Sequence, residues 1–353
     1  MEPTEGMTVI HSLQSLEWME PGMQLFSFLG TLEFYLIFMP ALYWCVDARL
    51  GLRVALVLVL GKGMTDALKL AFHSPRPYWV SPQVKALSSY PSFAMPSGHA
   101  EDAVAVWGMV ARGKWKRSRA IVAALVGLIG LIGISRIYLG VHFPADVLAG
   151  YALGAAVLAA FLLLEGRAAA WMASRGLAAQ ILASFLASLA LLSLSFLALA
   201  GLEGWQMPAA WEARALASSG EAIDPLNPRE AFASGGMLFG VALGALLLRR
   251  RGQVSTAGRI RTKAARYLLG MAGLLIIWYG SGAIMDGQGP AAWALIYLRS
   301  FLAGAWVAAG APELFRRMGL AGTGDDGDEQ NGGQWGLTRA KGMKGKDESE
   351  WER

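Results

Sequence analysis

Cysteine is nearly missing from this 353-residue chain. Cys45 stands alone, so no intrachain disulfide can form and dithiol redox chemistry is excluded. Histidine is scarce too, with four residues, and no His/Cys or carboxylate spacing suits a metal site. Neither a metal nor an organic cofactor is expected. Charge is also thin: Asp, Glu, Lys and Arg make up 16% of the chain against 55% hydrophobic residues, whereas soluble domains are about a quarter charged. An ordinary soluble protein is therefore excluded. Residues 1–48 contain no Lys or Arg, although Glu2, Glu5, Glu17 and Glu20 lie there. Lacking a basic n-region and a continuous apolar h-region, this stretch predicts no removable signal peptide.

What is there is apolar sequence in lengths suited to a bilayer, for which about 20 helical residues are needed. Nine runs stand out, near 25–46, 50–72, 98–111, 120–139, 144–164, 177–200, 233–248, 267–285 and 291–311; the third and seventh are short. Basic residues collect in alternate loops: Arg49 and Arg53; Arg112, Lys114, Lys116, Arg117 and Arg119; Arg167 and Arg175; Arg249–Arg251 through Arg266; Arg316 and Arg317. Arg and Lys mark cytoplasmic loops. The expected fold is an all-α polytopic membrane bundle of about nine transmembrane helices, with the N-terminus outside and the C-terminus cytoplasmic. The net charge of +5 then reflects topology, and no nucleic-acid partner is expected.

Four regions follow. Residues 1–24 form an outer interfacial segment, with Val9, Ile10, Leu13, Leu16 and Trp18 as the apolar side of a short amphipathic helix. Residues 25–165 form a catalytic bundle and 166–317 an accessory bundle. Residues 318–353, Gly-rich and charged with Asp325, Asp326, Asp328 and Glu329, form a cytoplasmic tail too polar to fold.

The chemistry sits in three blocks within the catalytic bundle: Lys69 with Arg76-Pro77, then Pro96-Ser97-Gly98-His99, then Ser135-Arg136 with His142 and Asp146. Together they describe a phosphate site. Lys69, Arg76 and Arg136 supply fixed positive charge, and Ser97 and Gly98 open a helix whose free N–H groups suit a phosphate oxygen. Pro75 and Pro77 end the preceding helix, so Arg76 is expected to fold back from a loop. Asp146, four residues after His142, can take one imidazole N–H and leave the other nitrogen free to attack. Lys69 has a plainer reading as the partner of Asp66, and Glu101 and Asp102 one as acids at a helix start. By the charge pattern, all three blocks meet at the outer face.

The pattern of eleven specified residues resembles the type 2 phosphatidic acid phosphatase superfamily, which includes lipid phosphate phosphatases, glucose-6-phosphatases and vanadium haloperoxidases. The resemblance implies that His142 attacks phosphorus, that Asp146 orients it, and that His99 protonates the leaving oxygen and later activates water. Lys69, Arg76, Ser97, Gly98 and Arg136 would hold the phosphoryl oxygens without a metal. The expected protein is a phosphatase of a bacterial cytoplasmic membrane, acting on its extracytoplasmic side on a lipid phosphate or polyprenyl diphosphate. Arg76-Pro77-Tyr78-Trp79 and nine spans also look similar to glucose-6-phosphatase, and the architecture to sphingosine phosphate phosphatases. A reading of another class is a transporter or scaffold whose phosphate site only binds, for which Arg299 and the motif-free second bundle leave room.

Overall fold

Thr31, Asp47 and Ser118 each open a helix by accepting a backbone N–H three residues on, from Phe34 at 3.3 Å, Leu50 at 3.0 Å and Ile121 at 3.4 Å, which satisfies donors that a helix start leaves free. In the computed structural model, residues 3–113, 118–252, 255–280 and 289–321 are described. Lys114, Lys116, Arg117 and the tail acids Asp325, Asp326, Asp328 and Glu329 lie outside them. Among the described residues all regular structure is helical: α1 (Pro3–Gln14), α2 (Glu20–Phe28), α3 (Leu32–Ala41), α4 (Ala48–Phe72), α5 (Pro77–Val80), α6 (Gly98–Ala111), α7 (Arg119–Tyr138), α8 (Pro144–Ala173), α9 (Leu177–Ala200), α10 (Ala209–Ser219), α11 (Arg229–Arg251), α12 (Ile260–Gly280), α13 (Pro290–Ala305) and α14 (Ala311–Arg317).

Each apolar run of the sequence has a helix. By length and composition five are able to cross a membrane, α7, α8, α9, α11 and the joined α13–α14, and a sixth if the pair around Thr31, bent by 52°, is one span. The others differ in kind. α6 has only 14 residues, α4 carries Arg49, Arg53, Lys62, Asp66 and Lys69, and α12 opens on Arg261, Lys263 and Arg266. α11, expected to be short, runs for 23 residues. α6 lies among α4, α7 and α8, with Ala100, Ala103, Ala105, Val106 and Met109 fully buried. Its polar residues therefore face protein rather than lipid, which lowers the cost of holding them at membrane depth.

Glycine sets the distance between α6 and α8. A Cβ added at Gly150 would stand 2.4 Å from the Ser97 carbonyl, and one at Gly154 2.5 Å from the Glu101 carbonyl; only backbones in direct contact leave so little room. The Ser97 N–H also donates to the Asp146 carbonyl at 2.9 Å. The second block is thus fixed on the third.

Two segments outside the bundle cover the end where the blocks meet. α1 buries Ile10 against Tyr138, Leu139 and Val141, and Gln14 Nε2 donates to the carbonyls of Lys85 at 2.8 Å and Tyr138 at 2.9 Å. The predicted interfacial helix is therefore docked on protein, although Trp18 stays 79% exposed. The stretch between α9 and α11 contains α10. Trp205 and Trp211 pack with Phe93 and Trp79, and Arg214 donates to the Val80 carbonyl at 3.0 Å. α9 and α11 lie directly on α4, where Ser234 Oγ donates to Asp66 Oδ2 at 3.1 Å.

Candidate active site

α4 ends at Phe72, with His73 in the left-handed conformation at φ 36° as its cap. The chain turns there, and Arg76 starts the short α5 with its side chain sent back under the loop. It is 1% exposed. Nε donates to the Ser92 carbonyl at 2.7 Å, Nη1 to the Val141 carbonyl at 3.1 Å, and Nη2 to Ser92 Oγ and the Phe93 carbonyl, both at 3.1 Å. Lys69 Nζ donates to the carbonyls of Phe93 at 2.5 Å and Ala94 at 3.3 Å. The plainer reading, a pair with Asp66, is not what forms; Asp66 takes Ser234 instead. Both cations of the first block thus bind the loop that leads into the second.

Ser97 is the N-cap of α6, as expected, but its hydroxyl caps nothing. A Cβ at Gly98 would meet only Thr65 Cγ2, at an ordinary 3.5 Å. His99 follows in the first turn, its ring edge-on to Tyr90 at 5.8 Å.

The third block folds back on itself. The N–H groups of Val141 and His142 both donate to the Arg136 carbonyl at 3.3 Å, which returns the turn to the end of α7. Asp146 Oδ2 accepts the Phe143 N–H at 2.8 Å and lies 3.5 Å from His142 Nδ1. The oxygen that caps the helix start is thus also the one nearest His142, although Nδ1 makes no hydrogen bond to it. On the other side of the ring, His142 Nε2 is 3.4 Å from Arg76 Nη1. Burial pulls the His142 pKa well below the usual imidazole range, and the charges of Arg76, Lys69 and Arg136 pull it further. The ring is neutral at neutral pH.

All eight site residues named from the sequence fall in this region. Lys69, Arg76, Ser97, Arg136, His142 and Asp146 are buried. Five polar atoms of these site residues lack a hydrogen-bond partner: Ser97 Oγ, His99 Nε2, Arg136 Nε and Nη2, and His142 Nδ1; a buried donor left unpaired costs about 1–3 kcal/mol, so the serine hydroxyl and the guanidinium nitrogens mark where an anion is wanted. His73 stands apart, with its Nδ1 3.1 Å from the Ala71 carbonyl, and His11 lies on α1.

Two residues escaped the sequence reading. Tyr90, in the loop between α5 and α6, has the guanidinium carbons of Arg76 and Arg136 each 5.0 Å from its ring centre. Ser27, on α2, accepts a short hydrogen bond from Arg136 Nη1. Tyr90 belongs to no periodic segment. The one signal for Ser27 was a hydroxyl set between Phe26 and Phe28 in an apolar run.

A cavity of about 130 Å³ opens between the helices of the first bundle and those after 228, walled by Leu36, Met39, Leu58 and Met237 with Lys62, Asp102 and Glu230 at its polar side. Asp102, which lines the cavity, follows His99 by three residues on α6, a backbone rise of about 4.5 Å.

The PAP2 superfamily model matches residues 50–170, and a second model, the transmembrane extension of PAP2 superfamily phosphatases, matches residues 232–323. The chain is similar to phosphatidylglycerophosphatase B of Bacillus subtilis, with 38% identity over 96 residues, covering 25% of this chain and 45% of that protein. It is similar to sphingosine-1-phosphate phosphatase 1 of Rattus norvegicus, with 32% identity over 134 residues, covering 35% and 30%. The chain thus spans less than half the length of these curated relatives. Among solved structures, the crystal structure of a transmembrane PAP2-type phosphatidylglycerolphosphate phosphatase from Bacillus subtilis aligns at TM-score 0.36 and 24% identity, over 45% of this chain and 84% of that one.

Proposed function

We propose that this chain, a member of the PAP2 superfamily by its matched domain at 50–170 and its matched extension at 232–323, is an integral-membrane phosphohydrolase that works through a phosphohistidine. The observation that carries this reading is the pairing at His142: Asp146 on the Nδ1 side at 3.5 Å and a cation on the Nε2 side at 3.4 Å. A site that only bound phosphate would need neither an orienting carboxylate nor a neutral imidazole.

In this mechanism His142 Nε2 attacks phosphorus and forms an N–P bond as the bond from phosphorus to the leaving oxygen breaks. His99 gives that oxygen its proton. Lys69, Arg76 and Arg136, with the Ser97 hydroxyl and the Gly98 N–H, hold the three remaining oxygens and balance their charge, which is most of what phosphoryl transfer asks of a protein. His99 then takes a proton from water as that water attacks the phosphohistidine, and inorganic phosphate leaves with His142 restored. Asp146 keeps the Nδ1–H in place throughout. Three fixed cations do here the charge balancing that a metal does elsewhere.

The apolar cavity lined by Asp102, three residues along α6 from His99, favours a lipid phosphate over a sugar phosphate, since such walls suit an acyl or isoprenoid tail. Both curated relatives named above have lipid phosphates in their names. Contacts between loops support the outward orientation. Lys85 pairs with Glu17 at 3.3 Å and Ser89 donates to Glu221 at 2.5 Å, joining the basic-poor segments at the site. At the other end, Arg316 donates to the Arg251 carbonyl at 3.1 Å and Cys45 Sγ to the Lys263 carbonyl at 3.4 Å. Counting α4 and α6 as protein-shielded crossings, and α12 as a further crossing, gives nine spans, with the blocks on the extracytoplasmic side of a bacterial cytoplasmic membrane.

The test is phosphate release by the purified full chain from lysophosphatidate, phosphatidate, sphinganine 1-phosphate, farnesyl diphosphate and glucose 6-phosphate, with excess chelator and with vanadate. Turnover of a lipid phosphate that survives the chelator and is stopped by vanadate is expected. Loss of activity on chelation, restored by a divalent ion, overturns the metal-free mechanism, and turnover of glucose 6-phosphate alone overturns the lipid assignment.

A further inference from the structure

The two arginines of the site are held in different ways. Arg76 donates from all three guanidinium nitrogens to backbone and side-chain oxygens, so the fold itself fixes its direction. Arg136, fully buried, makes one hydrogen bond, from Nη1 to Ser27 Oγ, while Nε and Nη2 have none. One hydrogen bond at one end fixes the direction of a guanidinium less fully than the set held by Arg76. Arg136 also stands near a second cation, whose repulsion is strong where water is excluded.

What lies against it is the Tyr90 ring, 5.0 Å from the Arg136 guanidinium carbon and 5.0 Å from that of Arg76. An aromatic face offers a cation the negative side of its quadrupole, so a ring touching both arginines attracts each where they would otherwise only repel. The ring is itself fixed. The Tyr78 hydroxyl, on a fully buried residue, donates to the Tyr90 carbonyl and accepts the Tyr90 N–H, both at 3.2 Å. Tyr78 follows Arg76-Pro77 directly. The first block thereby fixes Tyr90, and Tyr90 reaches the third block through Arg136 and the second through His99.

We propose that Tyr90 and Ser27 are positioning residues that hold Arg136 in line for the phosphoryl group, the ring through its face and the hydroxyl through one end of the guanidinium. This rests on the phosphohydrolase reading above. The Tyr90 hydroxyl also interacts with Arg136 and Ser88, and the larger part of the hold is assigned to the ring face. Neither residue touches the reacting atoms, and both act through Arg136.

The experiment measures the vanadate inhibition constant, kcat and KM of the purified full chain with Tyr90→Phe, Tyr90→Leu and Ser27→Ala, alongside melting temperature in detergent. Tyr90→Phe should stay within about threefold of wild type, whereas Tyr90→Leu and Ser27→Ala should each weaken vanadate by about tenfold or more, the size expected when a desolvated cation–π contact or a charged hydrogen bond is lost. In an Arg136→Gln background, Ser27→Ala should add nothing, because residues acting through one side chain are not additive. Should Tyr90→Leu unfold the protein, fluorinated phenylalanines at position 90 weaken the ring face at nearly constant volume, and the vanadate constant should rise with each fluorine. A flat fluorine series, a Phe variant as damaged as the Leu variant, or an unchanged constant in Tyr90→Leu would overturn the assignment. A wild-type chain that neither binds vanadate nor releases phosphate would instead overturn the functional reading beneath it.

Discussion

His142 Nε2 lies 3.4 Å from Arg76 Nη1. A guanidinium has only donors, so this contact requires a lone pair on Nε2 and places the imidazole proton on Nδ1, facing Asp146 at 3.5 Å. The nitrogen that would attack is thus the one beside the cations, where the phosphoryl oxygens would gather.

Replacing His142 by Ala should abolish phosphate release, by at least about a thousandfold, with little change in melting temperature, since the side chain serves no core cluster. Asp146→Asn should cost about tenfold to a hundredfold, the range for losing the carboxylate that orients a histidine, because an amide oxygen can still accept the Phe143 N–H. Single-turnover phosphate release reads both; full turnover in His142→Ala would remove it as nucleophile.

The lowered His142 pKa has a direction in pH. A base with a depressed pKa takes up its proton only in more acid solution, so the acid limb of kcat/KM should fall below the usual histidine range near pH 6.5. Arg76→Gln removes one of the charges that hold the pKa down. Its acid limb should therefore move upward, apart from the general loss of activity. An acid limb that stays in place would argue that His142 is not the titrating group.

Gly150→Val should separate α8 from α6, because its new Cβ would stand 2.4 Å from the Ser97 carbonyl, and overpacking of this kind costs about 1–3 kcal/mol. Activity should drop at least about tenfold, with a lower melting temperature. Gly127→Val is the control, since a Cβ there meets nothing within 4 Å, and both measures should stay near wild type. Equal behaviour of the two variants would mean that α8 does not set the position of Ser97.

A cysteine at Ser88 should react with a membrane-impermeant thiol reagent in intact cells, and one at Ser118 only after the membrane is opened. Basic residues mark 112–119 and 249–266 as cytoplasmic, one crossing from the turn that holds His142. Cys45, hydrogen-bonded to the Lys263 carbonyl, is changed to Ser to clear the background. The reverse labelling would put the site on the cytoplasmic face.

The sequence by itself determined the helices and which candidate groups share each block. Apolar runs of bilayer length, Ser97 as a helix start, and the proline pair around Arg76 are local signals, and local signals are what a linear chain displays. The fixed spacing inside each block likewise put Asp146 one helical turn from His142, where the two can meet. Other features had no local trace. Lys69 could as well have paired with Asp66, which lies in reach on the same helix; α11 decided otherwise by bringing Ser234 to that carboxylate. Tyr90 and Ser27 are ordinary residues until the fold sets them on Arg136, 46 and 109 residues away in the chain. The reason is physical: a helix period fixes which residues share a face, but which faces meet, and at what distance, depends on backbone contacts such as Gly150 on Ser97 that exist only once the chain has packed.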